Sequence, residues 1–208
     1  MMLVDDDPGV RQGLRYQVEF ADMTPVEELG PHLGDLSSYL QRGVRADAAI
    51  SDFHLSPKGY APFNGAELVA GWYKQNFPSL LCTRFEKAQI DIIRPHRRWI
   101  PTLLSPDDLN PDSLQTGLNM CIREISNEFI PARRPWRAQV HFIEPDPDVH
   151  GFYFLELPAW QRSEIIRFRL EDIPGRIREN VAPGYRCFAT SNLGAEDVDD
   201  IYVSEWES

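Results

Sequence analysis

The first 129 residues alternate short apolar runs with helix-like stretches. Residues 1–4, 48–51, 80–82 and 99–104 are brief and apolar, and they end in Asp, Thr or Ser-Pro. Between them, residues 8–20, 31–41, 65–76 and 111–129 read as helices. Pro8 suits a first helical turn, where its missing N–H costs nothing. In the last of these stretches Leu114, Leu118, Cys121, Ile122 and Ile125 recur at spacings of three and four, which predicts one buried stripe. A further strand is expected around residues 23–26. Alternating β and α elements predict a doubly wound parallel sheet covered on both faces.

The rhythm changes after residue 129. The segment Ile130-Pro131-Ala132-Arg133-Arg134-Pro135 has the prolines and charges of a linker. Beyond it the apolar period is two. Ala138, Val140 and Phe142 face one way with Arg137, Gln139 and His141 opposite, and Ile166, Phe168 and Leu170 alternate with Arg167 and Arg169. Residues 152–157, 185–189 and 201–206 add three more strands between Pro and Gly turns. Five short strands in about 75 residues predict a small antiparallel barrel or sandwich. The expected organisation is an α/β domain over 1–129, a linker over 130–136 and a β-rich domain over 137–208.

Composition fits two small domains: 208 residues, 42% hydrophobic, with 17 Pro and 13 Gly. The net charge is −11, shared as −6 before residue 129 and −5 after it, so charge does not separate the halves. An acidic balance argues against non-specific nucleic-acid binding, which depends on Lys and Arg neutralising phosphates. No run approaches the ~20 apolar residues of a membrane span. The amino-terminal run turns acidic after four residues, unlike a signal peptide. Cys82, Cys121 and Cys187 are far apart and include no Cys-x-x-Cys pair, which points to a reducing cytoplasm rather than a disulfide framework or structural zinc. His32, His54, His96, His141 and His150 show no metal-binding spacing.

In an open parallel sheet, ligands gather at the carboxyl ends of the strands. Those ends carry Asp5-Asp6-Asp7, Asp52, Thr83 and Ser105-Pro106. Converging carboxylates repel one another unless a cation lies between them, and oxygen-only ligands suit Mg²⁺. The ordered set Leu3-Val4-Asp5-Asp6-Asp7-Pro8-Gly9-Val10-Arg11, Ala49-Ile50-Ser51-Asp52, Asn64-Gly65-Ala66-Glu67-Leu68, Leu81-Cys82-Thr83 and Leu103-Leu104-Ser105-Pro106 resembles the receiver domain of two-component response regulators. The resemblance implies a flavodoxin-like, five-stranded parallel sheet over residues 1–129. It implies Mg²⁺ held by Asp5, Asp6, Asp52 and the backbone carbonyl of His54, with Asp52 as phosphoacceptor. Thr83 matches the hydroxyl that bonds the phosphoryl group and relays the switch.

The departures from the family pattern matter as much as the matches. The lysine expected before the proline of the last strand is Ser105, which supplies no positive charge. The aromatic switch position is Thr102. The small residue expected after Thr83 is Arg84, whose planar fork is a candidate substitute cation for Asp52. The loop from Asp52 to Gly65 is longer than usual. An atypical or degenerate receiver is the expectation, with Mg²⁺ as the implied cofactor. A histidine kinase, another protein, or a second copy in a homodimer would be its partners, and no membrane is involved.

Two charged segments remain. Arg94-Pro95-His96-Arg97-Arg98-Trp99 reads as a solvated loop or docking surface before the last strand. The residues after Gly194 carry six acids and no base, which predicts either a charged edge strand or a docking strip for a basic partner. Three functions follow as expectations. The first is a non-enzymatic signalling module acting by protein–protein interaction, of the kind that serves as accessory subunit of a larger regulatory or defence system. The second is a response regulator phosphorylated at Asp52. The third is a nucleic-acid-binding regulator using Arg167, Arg169 and the arginines at 133, 134 and 137.

Overall fold

The structure is a computed structural model describing residues 1–30, 32–56, 59–84, 87–161 and 164–207, with the backbone alone for 87–89. The chain divides into two compact units. One comprises Met1–Phe85 and Trp99–Glu128; the other comprises Glu86–Arg98 and Phe129–Ser208. The second unit is therefore discontinuous in sequence, and it takes thirteen residues from the middle of the first.

In the first unit the strands are β1 (Met2–Val4), β2 (Val26–Glu27), β3 (Ala49–Ser51), β4 (Ser79–Cys82) and β5 (Leu103–Leu104). They pair in parallel in the order β2-β1-β3-β4-β5. The helices α1 (Pro8–Phe20), α2 (Leu36–Gln41), α3 (Gly65–Lys74) and α5 (Pro111–Ile125) belong to this unit, while α4 (Lys87–Ile93) falls in the other. Strand residues alternate between the two faces of the sheet. Leu3, Ile50, Leu80 and Cys82 pack with Leu14, Val18, Leu114, Leu118 and Cys121 of α1 and α5 into one core. Elsewhere in the unit Trp72 of α3 is fully buried and meets the rings of Tyr39 and Phe77.

Each helix start is written locally. Asp7 caps α1 by accepting from the Gly9 and Val10 N–H groups at 2.7 and 3.2 Å, and Pro8 occupies the first turn. Asn64 and Glu67 form a capping box on α3, and Asn110 and Ser113 form one on α5. The strand expected at residues 23–26 lies slightly later, at Val26–Glu27. The helices expected over 65–76 and 111–129 end earlier, at Lys74 and Ile125, where Asn76 and Asn127 take left-handed backbone angles that stop a helix.

The second unit is a five-stranded antiparallel sheet: β6 (Trp136–Pro145), β7 (Phe152–Glu156), β8 (Ile166–Arg169), β9 (Arg186–Ser191) and β10 (Val203–Glu207). The order is β10-β9-β6-β7-β8, with a short helix α6 (Gly175–Arg178) between β8 and β9. All five strands match segments expected from the period-two pattern. The architecture is a half-barrel: one curled sheet whose edge strands approach across its concave face. Phe168 of β8 and Trp206 of β10 meet edge to face at 5.4 Å, and Phe142 of the central strand lies 6.1 Å from the same indole. Val140, Phe142, Leu155, Ile166, Phe168, Cys187, Ala189 and Trp206 form the core. The edge strand β10 shifts register between Ser204 and Glu207, where Glu205 has φ 50°, and its acids discourage pairing with another chain.

Residues 130–135 are packed rather than loose. Arg133 is buried, its carbonyl oxygen accepts from the Tyr202 hydroxyl at 3.0 Å, and the Asn192 amide donates to the Ala132 carbonyl oxygen at 2.9 Å.

The basic stretch at 94–99 corrects the expectation of a solvated loop. It follows α4, a helix the apolar pattern did not predict, and its arginines point inward. Arg94 and Arg97 are buried, and Arg98 lies over the Tyr202 ring within the second unit. The acidic residues near the carboxyl end are their partners: Arg97 pairs with Asp200 at 2.9 Å.

Candidate functional site

The order β2-β1-β3-β4-β5 places the reversal of strand order between β1 and β3, and ligand crevices in such sheets open at the carboxyl ends there. Asp5 follows β1 and Asp52 follows β3, so the two carboxylates flank that point. Asp5 is 2% exposed, and its carboxylate accepts from the Asp7 N–H at 2.7 Å. Burial pushes its pKa from 3.8 up to about 7 against that hydrogen bond, and the charges of Asp52, Asp6 and Asp7 push the same way. Asp52 is half-buried. Its carboxyl is also raised, chiefly by burial, although backbone N–H groups of His54 and Phe53 stabilise the ionised form. The His54 N–H donates to Asp52 Oδ2 at 2.8 Å.

Two local features fix Asp52. The Ser51 hydroxyl donates to the Asp52 carbonyl oxygen at 2.8 Å. Behind it, a Cβ added at Gly65 would stand 1.8 Å from that same oxygen. Only glycine lets α3 begin so close to the β3 turn.

Thr83 is 1% exposed at the end of β4. Its hydroxyl makes no contact of hydrogen-bond geometry, yet it is near enough to favour the ionised Asp52 carboxylate. Arg11 reaches in from α1 and donates to the backbone carbonyl oxygen of Asp5 rather than to its carboxylate, while its Nε lies 3.6 Å from Glu27. Asp6 is half-buried and Asp7 is committed to capping α1. The structure thus brings together Asp5, Asp52 and Thr83, with the His54 backbone on the rim.

The remaining candidates lie differently. Arg84 is exposed and makes no ion pair with Asp52. Ser105 accepts from the Asp107 N–H at 3.2 Å, which closes the turn after β5. Thr102 is buried and donates to the Gly117 carbonyl oxygen at 3.0 Å, tying β5 to α5 where an added Cβ at Gly117 would stand 2.7 Å from the threonine methyl. The long loop after Asp52 is anchored by its apolar side chains. Phe53, Leu55, Tyr60, Ala61 and Phe63 are buried, and the Tyr60 hydroxyl donates to the Glu28 carbonyl oxygen at 2.6 Å. Residues 57–58 of this loop lie outside the described residues. The sequence reading singled out neither Tyr60 nor this anchoring, although the apolar content of the long loop was the available signal.

Among the described residues, no three His, Cys, Asp or Glu side chains are gathered as a metal cluster. The donor set nevertheless has the chemistry of a hard cation site. The buried Asp5 and half-buried Asp52 carboxylates sit close enough for the second to raise the pKa of the first, beside the buried Thr83 hydroxyl. A divalent cation there would relieve the repulsion and return Asp5 to its ionised form.

No family model matches the chain, and no curated protein matches it. Solved structures do. The strand order of the first unit is that of a flavodoxin-like, doubly wound parallel sheet. Similar structures include a response-regulator receiver domain from Clostridium thermocellum, at 12% identity and TM-score 0.44, covering 62% of this chain and 97% of that one. A signal receiver domain of an HD-domain-containing protein from Pseudomonas fluorescens Pf-5 matches at 20% identity and TM-score 0.44, covering 61% of this chain and 88% of that one. The receiver domain of Francisella response regulator 1452 matches at 16% and 0.42, covering 59% and 95%. No helix among the described residues is long and apolar enough to cross a membrane.

Proposed function

We propose that the protein is a response-regulator-like signalling protein of the cytoplasm that works by protein–protein recognition, with a receiver pocket that no longer performs ordinary phosphorylation switching. It is not an enzyme in this reading. The observation that carries it is the treatment of the acidic pair. Asp5 is buried with its pKa lifted to about 7, while the position expected to hold a lysine is Ser105, occupied with the Asp107 backbone. A transferring phosphoryl group needs fixed positive charge to stabilise its oxygens. The free-lying Arg84 does not provide it, and Thr102 is locked against α5 in place of an aromatic switch.

Asp5, Asp6, Asp52 and the His54 carbonyl remain suitable for Mg²⁺, and Mg²⁺ would supply charge neutralisation at that pocket. Phosphorylation of Asp52 by a histidine kinase is the second reading, supported by the Asp5, Asp52 and Thr83 arrangement. Beryllofluoride, a mimic of the phosphoryl group, separates the two. Fluorine NMR with Mg²⁺ and beryllofluoride is expected to show no bound resonance, and a bound resonance lost in Asp52→Asn would establish the second reading.

Nucleic-acid binding through the β unit is disfavoured by where its arginines are spent. Arg167 pairs with Asp146 and Asp91 at 2.8 and 3.0 Å, and Arg169 pairs with Glu171 and Asp172 at 2.7 Å. Arg137 pairs with Glu207 at 2.7 Å. A phosphate backbone would have to displace these acids. Fluorescence anisotropy with labelled DNA or RNA at low salt is expected to show no binding.

A further inference from the structure

The segment at residues 91–98 belongs by contact to the β unit; its Ile93 is buried, but outside the apolar cluster that the five strands build. Around Ile93 the arginines and Asp91 make a dense set of polar contacts. The Arg94 guanidinium, 4% exposed, donates to the carbonyl oxygens of Val198 at 2.7 Å and Ile201 at 2.8 Å. Arg97 pairs with Asp200 at 2.9 Å. From the other side Arg133 donates to the carbonyl oxygens of Arg97 and Arg98 at 3.1 and 3.2 Å, and Arg167 pairs with Asp91 at 3.0 Å. Buried arginines forked onto carbonyls and carboxylates are the chemistry of a recognition interface; the interiors of single domains are mostly apolar.

Two charge patterns meet here. The acids at 197, 199 and 200 surround Arg94 and Arg97, and Asp91 faces Arg167 of β8. The strip is therefore complementary to an arginine-bearing helix end, and it already holds one. We propose that residues 197–201, with Arg133 and Arg167, form an arginine-reading docking surface whose occupant is the chain's own segment 91–98, held as a latch. The latch continues in sequence from β4, so Thr83 lies eight residues before its first docked side chain, and it runs on into β5. A partner that takes the docking surface releases the latch. The inference does not depend on whether Asp52 accepts a phosphoryl group.

Hydrogen exchange of the full chain, read by mass spectrometry, tests this. The reporters are the amides of Arg94, His96 and Arg97, which donate to the carbonyl oxygens of Ile90, Ile93 and Arg94. In Arg94→Gln and in the milder Asp200→Asn, a detachable latch exchanges faster at these amides, by about ten- to a hundredfold in the first variant and less in the second. The amides of β6, β7 and β9 keep wild-type protection. The proposal is overturned if the segment and the sheet lose protection together in Arg94→Gln, since the segment would then be part of the unit's cooperative core. It is equally overturned if the reporter amides are unchanged in both variants.

Discussion

Replacing Asp5 by Asn is expected to stabilise the protein, and to do so more at high pH than at low. Asp5 is buried at the end of β1, and its folded-state pKa of about 7 compares with an ordinary 3.8. Between those values the folded chain holds a proton that the unfolded chain has released. The stability linked to Asp5 is therefore fully present below about pH 4 and is lost as pH rises through 7. The full shift corresponds to about 4 kcal/mol; water and salt at the pocket mouth reduce it to about 2–3. Asparagine keeps the oxygen that accepts from the Asp7 N–H and carries no charge. Its advantage should grow by about 2 kcal/mol from pH 5 to pH 8. Urea unfolding at the two pH values, followed by helical circular dichroism, measures the difference, because most of the helix lies in the α/β unit. An advantage independent of pH, or Asn less stable than Asp at pH 8, would refute the account of this pocket.

Further outcomes follow from the same geometry. Added Mg²⁺ is expected to raise the melting temperature of the wild type at pH 8 but not that of Asp5→Asn, as ligand binding to the folded state alone requires; equal shifts in both would place the ion elsewhere. Gly65→Ala drives a methyl group into the Asp52 carbonyl oxygen and should cost about 2–4 kcal/mol in denaturant titrations. Arg84→Ala should change stability by less than about 0.5 kcal/mol, since the side chain is exposed and unpaired with Asp52. Trp206→Ala removes the indole that bridges β8, β6 and β10 and should destabilise the β unit by about 3–5 kcal/mol, visible as early loss of protection in its strands.

The helices and strands that were legible in the chain are those whose cues are local. Pro8 announces the start of α1, and the caps that the structure shows at Asp7, Asn64 and Asn110 need only residues within one turn. The period-two pattern of β6 and β8 was equally plain. The acidic pocket was legible as residue types at strand ends, but not its energetics: that Asp5 is held near neutrality depends on burial by elements distant in sequence. What escaped the pattern was α4 and the basic stretch behind it. Their charges look solvated because the acids that bury them lie about 100 residues away, with Asp200 for Arg97 and the Val198 and Ile201 carbonyls for Arg94. Local periodicity cannot carry that pairing. The excess of acids near the carboxyl end was its one trace.

That pairing also changes the meaning of the net charge. A strip of acids near the carboxyl end suggested a basic partner from outside, and the structure supplies one from inside. Arg94 uses backbone carbonyls as acceptors, which no side-chain substitution at 198 or 201 removes, whereas the Arg97–Asp200 pair has one exposed member, 59% exposed, that solvent and salt can reach. The two contacts therefore differ in kind. The first sets where the segment docks, and the second is the one that ionic strength can weaken. A docking surface with one fixed and one screened contact can hold its own segment and still exchange it for a competing arginine. In the proposed latch, competition at this surface would be a switch that needs no phosphoryl group.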